Sequence, residues 1–238
     1  MLGPGFYNMD CMEAMKEYPD QYFELAIVDP PYGIGAESFK NASGYTNPTK
    51  KSATVKAKNR LNDGRGKLRN RILAKADCSW DVAPTKEYFN ELFRVSRNQI
   101  IWGGNYFPLP PTRGIVVWDK KQAWENFSQV EMAWTSFDRP ALLVGIRNSG
   151  SYTSDKIHPT QKPIELYKYL LSRFAKPGDK ILDTHVGSAS SLIACHQMGF
   201  EFTGFEINEQ YYKEAKQRLD RELAQMTMYE MIKEGNNP

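Results

Sequence analysis

Lys180-Ile181-Leu182-Asp183-Thr184-His185-Val186-Gly187-Ser188-Ala189-Ser190-Ser191 decides the fold of this chain. A short apolar run ends on an acid, small residues follow, and apolar positions at Leu192, Ala194 and Met198 continue as a helix. Small residues at a strand-to-helix turn let a ligand approach the backbone at the helix N-terminus. The next strand, Phe202-Thr203-Gly204-Phe205-Glu206, ends on a second acid 23 positions after the first. An acid about 20 residues on, at the tip of the second strand, commonly bonds a ribose diol. The turn is not G-x-G-x-x-G, so a nucleoside cofactor without a pyrophosphate fits better than a dinucleotide. Taken alone, the stretch also reads as an ordinary strand–helix turn.

Outward from this unit the pattern repeats. Pro163 suits the first position of a helix whose apolar stripe is Ile164, Tyr167, Leu170, Leu171 and Phe174, and Pro177-Gly178 ends it. Strands are expected at Gln99–Trp102, Gly114–Trp118 and Val130–Trp134, with a helix through Tyr88, Leu92, Phe93 and Val95 before them. A helix is expected from about Glu209 past Leu223. Near the start, a short strand at Phe6–Asn8 and a helical stretch through Met12 and Met15 precede the apolar run Phe23–Val28. Strands separated by helices mean an α/β fold with a mostly parallel sheet. The tryptophans and tyrosines on strands are read as core. Residues 137–157 read as loop or edge structure.

The run Phe23–Val28 is stopped by Asp29-Pro30-Pro31-Tyr32. Two prolines end a strand at once, and the C-terminal end of a buried strand is where open α/β sheets bind ligands. One reading of the tetrapeptide is a stiffened loop. The other concerns exocyclic amines, whose lone pairs are conjugated into a base ring. A carboxylate and a proline-oriented carbonyl can together accept the amine N–H bonds and localise that lone pair. An aromatic such as Tyr32 can stack on a base taken out of the helix.

The chain has 238 residues, enough for one domain with an insertion, and no apolar run long enough to span a bilayer. The N-terminus has neither a basic region nor an apolar core of a secretory signal. Cys11, Cys78 and Cys195 are scattered, which argues against disulfides or a zinc site and fits a reducing compartment, the cytoplasm. The overall charge of +3 hides an asymmetry. Residues 36–76 hold eleven basic side chains against two acids, a net of +9, so the remainder carries −6. A solvated loop would look like this. So would a DNA-embracing insertion over 36–79, with Lys56, Lys58, Arg60, Arg65, Lys67, Arg69 and Arg71 on phosphates or bases.

Asn8-Met9-Asp10-Cys11, Asp29-Pro30-Pro31-Tyr32-Gly33, His158-Pro159-Thr160-Gln161-Lys162-Pro163 and Asp183-Thr184-His185-Val186-Gly187-Ser188 occur here in one order. In that order they resemble the beta group of amino-methylating DNA methyltransferases, adenine-N6 type, of the kind carried by phages. The resemblance spans nearly the whole chain apart from the basic segment and 137–157. It implies a seven-stranded, Rossmann-like S-adenosylmethionine methyltransferase fold in circularly permuted order, as one domain over 1–238. It places Asp29, Pro30, Pro31 and Tyr32 at the catalytic site. It places Asp10, Cys11, Asp29, His158, Thr160, Lys162, Asp183, His185, Gly187, Ser188 and Glu206 around S-adenosylmethionine. Within that set Glu206 goes on the ribose, Asp10 and Cys11 near the adenine, and the His158–Pro163 stretch near the methionine end.

In similar enzymes an Asp at the first catalytic position goes mostly with adenine. Double-stranded DNA is the implied substrate, a homodimer is common among such enzymes, and no metal is implied. The short region at 137–157 stands where base recognition is expected. Two positions depart from the family pattern. His185 stands for an aromatic, either as a polar cofactor contact or as a ring filling that place. Ala189 stands for a glycine and is expected to alter the turn slightly. Cytosine N4, an RNA adenine, or a catalytically dead DNA-binding protein are the competing readings. C5-cytosine chemistry is disfavoured, since none of the cysteines follows a proline.

Overall fold

The computed structural model describes residues 1–34, 81–122, 128–148, 157–158 and 160–235. Two compact units are distinguished, Met1–Pro30 with Pro84–Pro238, and Pro31–Ala83. The basic residues Lys56, Lys58, Arg60, Arg65, Lys67, Arg69 and Arg71 lie outside the described residues.

In the larger unit the strands are β1 (Gly5–Asn8), β2 (Phe23–Val28), β3 (Ser96–Trp102), β4 (Ile115–Asp119), β5 (Val130–Thr135), β6 (Leu142–Gly145), β7 (Lys180–Asp183) and β8 (Glu201–Glu206). They form one sheet in the order β1-β8-β7-β2-β3-β5-β4-β6. Among the described residues every pairing is parallel except those of β5, which runs antiparallel to both β3 and β4. The sheet thus has the seven expected strands and an eighth, β6, drawn from the region read as loop or edge. Leu142 to Gly145 pair in parallel with Val116 to Asp119.

Among the described residues the α-helices are α1 (Cys11–Met15), α2 (Lys86–Val95), α3 (Ile164–Phe174), α4 (Ser190–Gln197) and α5 (Glu209–Gly235). Helix α3 starts one residue later than expected. Pro163 is its extended N-cap, at ψ 144°, and not its first helical residue. Of the expected apolar stripe, Tyr167, Leu170, Leu171 and Phe174 are buried, while Ile164 is only half-buried and Leu166 is buried beside them.

The core explains why β2 reads as a continuous apolar run. Leu25 and Ile27 pack with Ile100, Trp102, Ile181 and the α3 stripe. Ala26 and Val28 point to the other face and are buried as completely. A strand covered on both faces has no polar alternation. Trp102 and Trp118 are core residues as expected, while Trp134 is only half-buried and donates its indole N–H to the Pro110 carbonyl at 2.7 Å.

In the smaller unit, the Gly33 N–H donates to Asp81 Oδ1 at 2.9 Å. Gly33 has φ +65°, and a β-carbon there would lie 2.8 Å from that of Ala83, so glycine is required on both counts.

Candidate active site

Strands β7 and β2 are neighbours, but β8 lies beyond β7 and β3 beyond β2. At such a reversal the carboxyl ends of the strands open a crevice. Asp183 ends β7 and Asp29 directly follows β2, so both acids stand at this point. Asp29 and Pro30 belong to the larger unit, and Pro31 and Tyr32 open the smaller one.

Asp29 is held by Lys162, whose Nζ donates to Oδ2 at 2.5 Å. The Lys162 side chain is 2% exposed, and it is shared with a second carboxylate, Glu131 Oε2, at 3.1 Å. Glu131 in turn pairs with Lys120 through Oε1. Burial would pull the Lys162 ammonium down, but the Asp29 and Glu131 charges more than offset this and hold it above the usual lysine range. Burial would push the Glu131 carboxyl up, and Lys162 and Lys120 together hold it below its ordinary value.

The second cluster forms around the turn after β7. Glu206, at the tip of β8, accepts the Gly187 N–H at 3.0 Å and the Asn208 N–H at 2.9 Å. Burial raises its carboxyl, and the backbone N–H groups work against the rise. Gly187 has φ +56°, and the His158 ring lies 3.6 Å from where its β-carbon would be. That ring packs edge-on against Tyr211, with centroids 4.6 Å apart, and its Nδ1 bonds the Thr160 hydroxyl at 3.0 Å. Ser188 is buried, its hydroxyl 3.1 Å from that of Ser190. Asp10 caps α1 by accepting the Met12 N–H at 2.7 Å. Beside it, burial and then the Asp10 charge push the Cys11 thiol up to about 12, which keeps it protonated and inert as a nucleophile.

Both departures from the family pattern acquire a geometry. His185 Nδ1 lies 2.9 Å from the Thr184 hydroxyl, which is 2.6 Å from the Tyr88 hydroxyl. Its ring meets Tyr88 edge-on at 5.3 Å, and burial lowers its pKa to about 4, so it is neutral. Ala189 adopts φ 61° and ψ 17° at the N-cap of α4. Contrary to the expected altered turn, alanine here takes the left-handed conformation a glycine would take, at a local cost on the order of 1 kcal/mol.

Asp183 accepts the His185 N–H at 3.0 Å and the Ser191 hydroxyl at 2.5 Å. Burial nonetheless pushes its carboxyl up to about 7. The folded state therefore prefers this group protonated, and its ionisation removes stability as pH rises from about 4 through about 7. His185 acts oppositely, since its lowered value removes stability as pH falls from about 6.5 toward 4. Asp183→Asn keeps a carbonyl for the His185 N–H and an amide for Ser191. Its urea midpoint is expected to exceed that of the wild type at pH 8 by an amount worth on the order of 2–4 kcal/mol, with the gap closing toward pH 4. An equal gap at both pH values would show that Asp183 does not titrate in this window.

Tyr88, Lys120, Glu131 and Tyr211 were not singled out from the sequence. Glu131 alone carried a signal, an acid within the apolar run Val130–Trp134.

Residues 117–217 match the protein family described as DNA methylase, N6_N4_Mtase. YubD of Escherichia coli (strain K12), a methylase by name, is 26% identical over 225 residues, covering 90% of this chain and 89% of that protein. The cytosine-N4-specific PvuII DNA methyltransferase superposes with a TM-score of 0.55 at 13% identity, over 91% of this chain and 86% of that one. TTHA0409 of Thermus thermophilus, solved in complex with S-adenosyl-L-methionine, gives 0.50 at 17% identity, over 91% and 93%. Motif order, fold and family match together support a DNA methyltransferase of the N6/N4 type.

The candidate site fits the cofactor of such enzymes, S-adenosylmethionine. A carboxylate anchored by two backbone N–H groups, Glu206, stands beside the side-chain-free Gly187. Val186 and Leu192 press so closely on β8 that a β-carbon on Gly204 would lie 2.7 Å and 2.9 Å from them. This brings the turn onto the strand tip. Asp183 is committed to holding the turn, through His185 and Ser191.

Proposed function

We propose that this chain transfers a methyl group from S-adenosylmethionine to N6 of adenine at specific sites in double-stranded DNA. The observation that carries this reading is the Asp29 carboxylate at the strand reversal, fixed by a buried lysine and adjacent to the Asp183–Glu206 turn. When bound, the cofactor supplies a methyl group on a sulfonium, already activated for displacement. What the protein must supply is the nucleophile in the right state and place.

Asp29 accepts an N–H of the exocyclic amine, and the Pro30 carbonyl accepts the other. Together they draw the nitrogen lone pair out of conjugation and aim it in line with the methyl carbon. The N–C bond forms as the S–C bond breaks, and the amine proton leaves toward the carboxylate. Glu206 holds the ribose, and Asp10, His158, Thr160 and Ser188 belong to the cofactor side. Tyr32 carries the ring for stacking on the flipped base, which costs a few kcal/mol to extrude. The basic residues Lys56, Lys58, Arg60, Arg65, Lys67, Arg69 and Arg71 neutralise phosphates, so binding falls steeply with salt.

The test is transfer of labelled methyl groups to unmethylated genomic DNA, followed by nucleoside analysis. N6-methyladenine is the expected product. N4-methylcytosine would keep the chemistry and overturn the base, and label in RNA but not in DNA would overturn the substrate.

A further inference from the structure

Glu131 lies on β5, far from any motif that names the site. Because β5 runs antiparallel to β3, its first residues stand where β3 ends. The Gly103 N–H after β3 donates to the Met132 carbonyl at 2.8 Å. Glu131 is therefore at the same end of the sheet as Asp29, and Lys120, just after β4, is there too. Lys120 is fixed in the chain by its own backbone. Its N–H donates to the Gln129 carbonyl at 3.0 Å, and its carbonyl accepts the Asn148 N–H at 3.2 Å.

The result is a row of alternating charges, Asp29, Lys162, Glu131 and Lys120, summing to zero. Each cation also rests on a core indole: Lys162 is 5.2 Å from the Trp102 ring and Lys120 is 5.4 Å from the Trp118 ring. The two rings pack edge to face, with centroids 6.1 Å apart. The ammonium groups thus rest on an apolar floor, and the carboxylates pull each one along it.

We propose that Glu131 is a positioning residue for Asp29, acting through Lys162, with Lys120 holding Glu131 in place. The proposal rests on the reading of Asp29 as the group that meets the substrate amine. With Glu131 present, Lys162 is shared between two carboxylates and takes Asp29 by one oxygen. Without the Glu131 charge, Lys162 settles wholly on Asp29 and turns the carboxylate away from the line of transfer.

The experiment compares Glu131→Gln with the double variant Lys120→Met/Glu131→Gln. The single change strands the buried Lys120 without its carboxylate, and the double change removes that defect. Expected for both variants is a fall in kcat of roughly 10- to 100-fold, the range for a misplaced catalytic group, with KM for DNA and for S-adenosylmethionine nearly unchanged. The thermal midpoint should drop in the single variant and recover in the double. Recovery of kcat in the double variant would make Glu131 merely structural and overturn the proposal.

A second readout needs no turnover. In 1H–15N spectra tuned to lysine side chains, the Lys162 ammonium signal should shift in both variants relative to the wild type, as the group passes from two carboxylates to one. An unchanged Lys162 signal would overturn the positioning role even if the wild type methylated nothing. The absence of any wild-type methyl transfer would instead overturn the reading of Asp29.

Discussion

Replacing Asp29 by alanine is expected to lower kcat for methyl transfer about a thousandfold, within the range a positioned acid–base group supplies, while S-adenosylmethionine affinity stays within about threefold. Lys162 then keeps one carboxylate, Glu131, so the buried ammonium remains paired and the fold survives with a modest loss. Asp29→Asn should fall nearly as far. An amide carbonyl still accepts an N–H, but it cannot take the developing positive charge on the amine. Single-turnover methyl transfer, run beside calorimetric cofactor binding, separates the two quantities. An Asp29→Ala enzyme that retains a tenth or more of the wild-type kcat would remove Asp29 from the reaction.

Lys162→Met carries the largest expected loss of stability. Methionine keeps the apolar stem over Trp102 but leaves Asp29 and Glu131 facing one another without the shared cation. Their side chains are only 16% and 24% exposed, so water screens them poorly. Breaking such a pair from one side costs roughly 2–4 kcal/mol.

The pH dependence follows from both partners. The raised lysine contributes stability that is fully present below about pH 10 and is lost as pH climbs through its folded value. The lowered Glu131 contributes stability that is present above about pH 4.5 and is lost as pH falls through its folded value. The gap in urea midpoint between wild type and Lys162→Met should therefore be widest from about pH 5 to 10 and narrow at either end. A gap that grew on acidification would contradict the ion-pair assignment.

How much of this was legible in the sequence follows from the range of each interaction. The strand at Phe23–Val28 is written in its own residues, as an apolar run closed by two prolines, and the structure has it over those same positions. The turn from Asp183 to Ser191 is equally local, and the adjacent parallel strand β8 brings Glu206 onto its Gly187 N–H. Boundary details depend on caps and were less legible. Pro163 is compatible with both the N-cap and the first helical turn, and the structure has it as the N-cap.

Ala189 shows the opposite limit. Its composition argues against a left-handed residue, and packing in a fully buried position imposes one. The short strand β6 has only four residues and gains its identity from pairing with β4, not from any periodicity of its own.

The charge row at the candidate active site lies beyond local reading altogether. Lys162 stands in a motif read as a cofactor contact, and its ammonium is on Asp29, 133 positions away in the chain. Glu131 and Lys120 join them only because β5 reverses direction between β3 and β4 and carries an acid to the end of the sheet where the parallel strands finish. Local patterns of apolar spacing, proline and small residues determine strands, turns and the order of motifs, because those depend on neighbours in the chain. Which buried charge meets which is decided by strand order and direction, since an ion pair in a core forms between residues that the sheet, and not the sequence, makes adjacent.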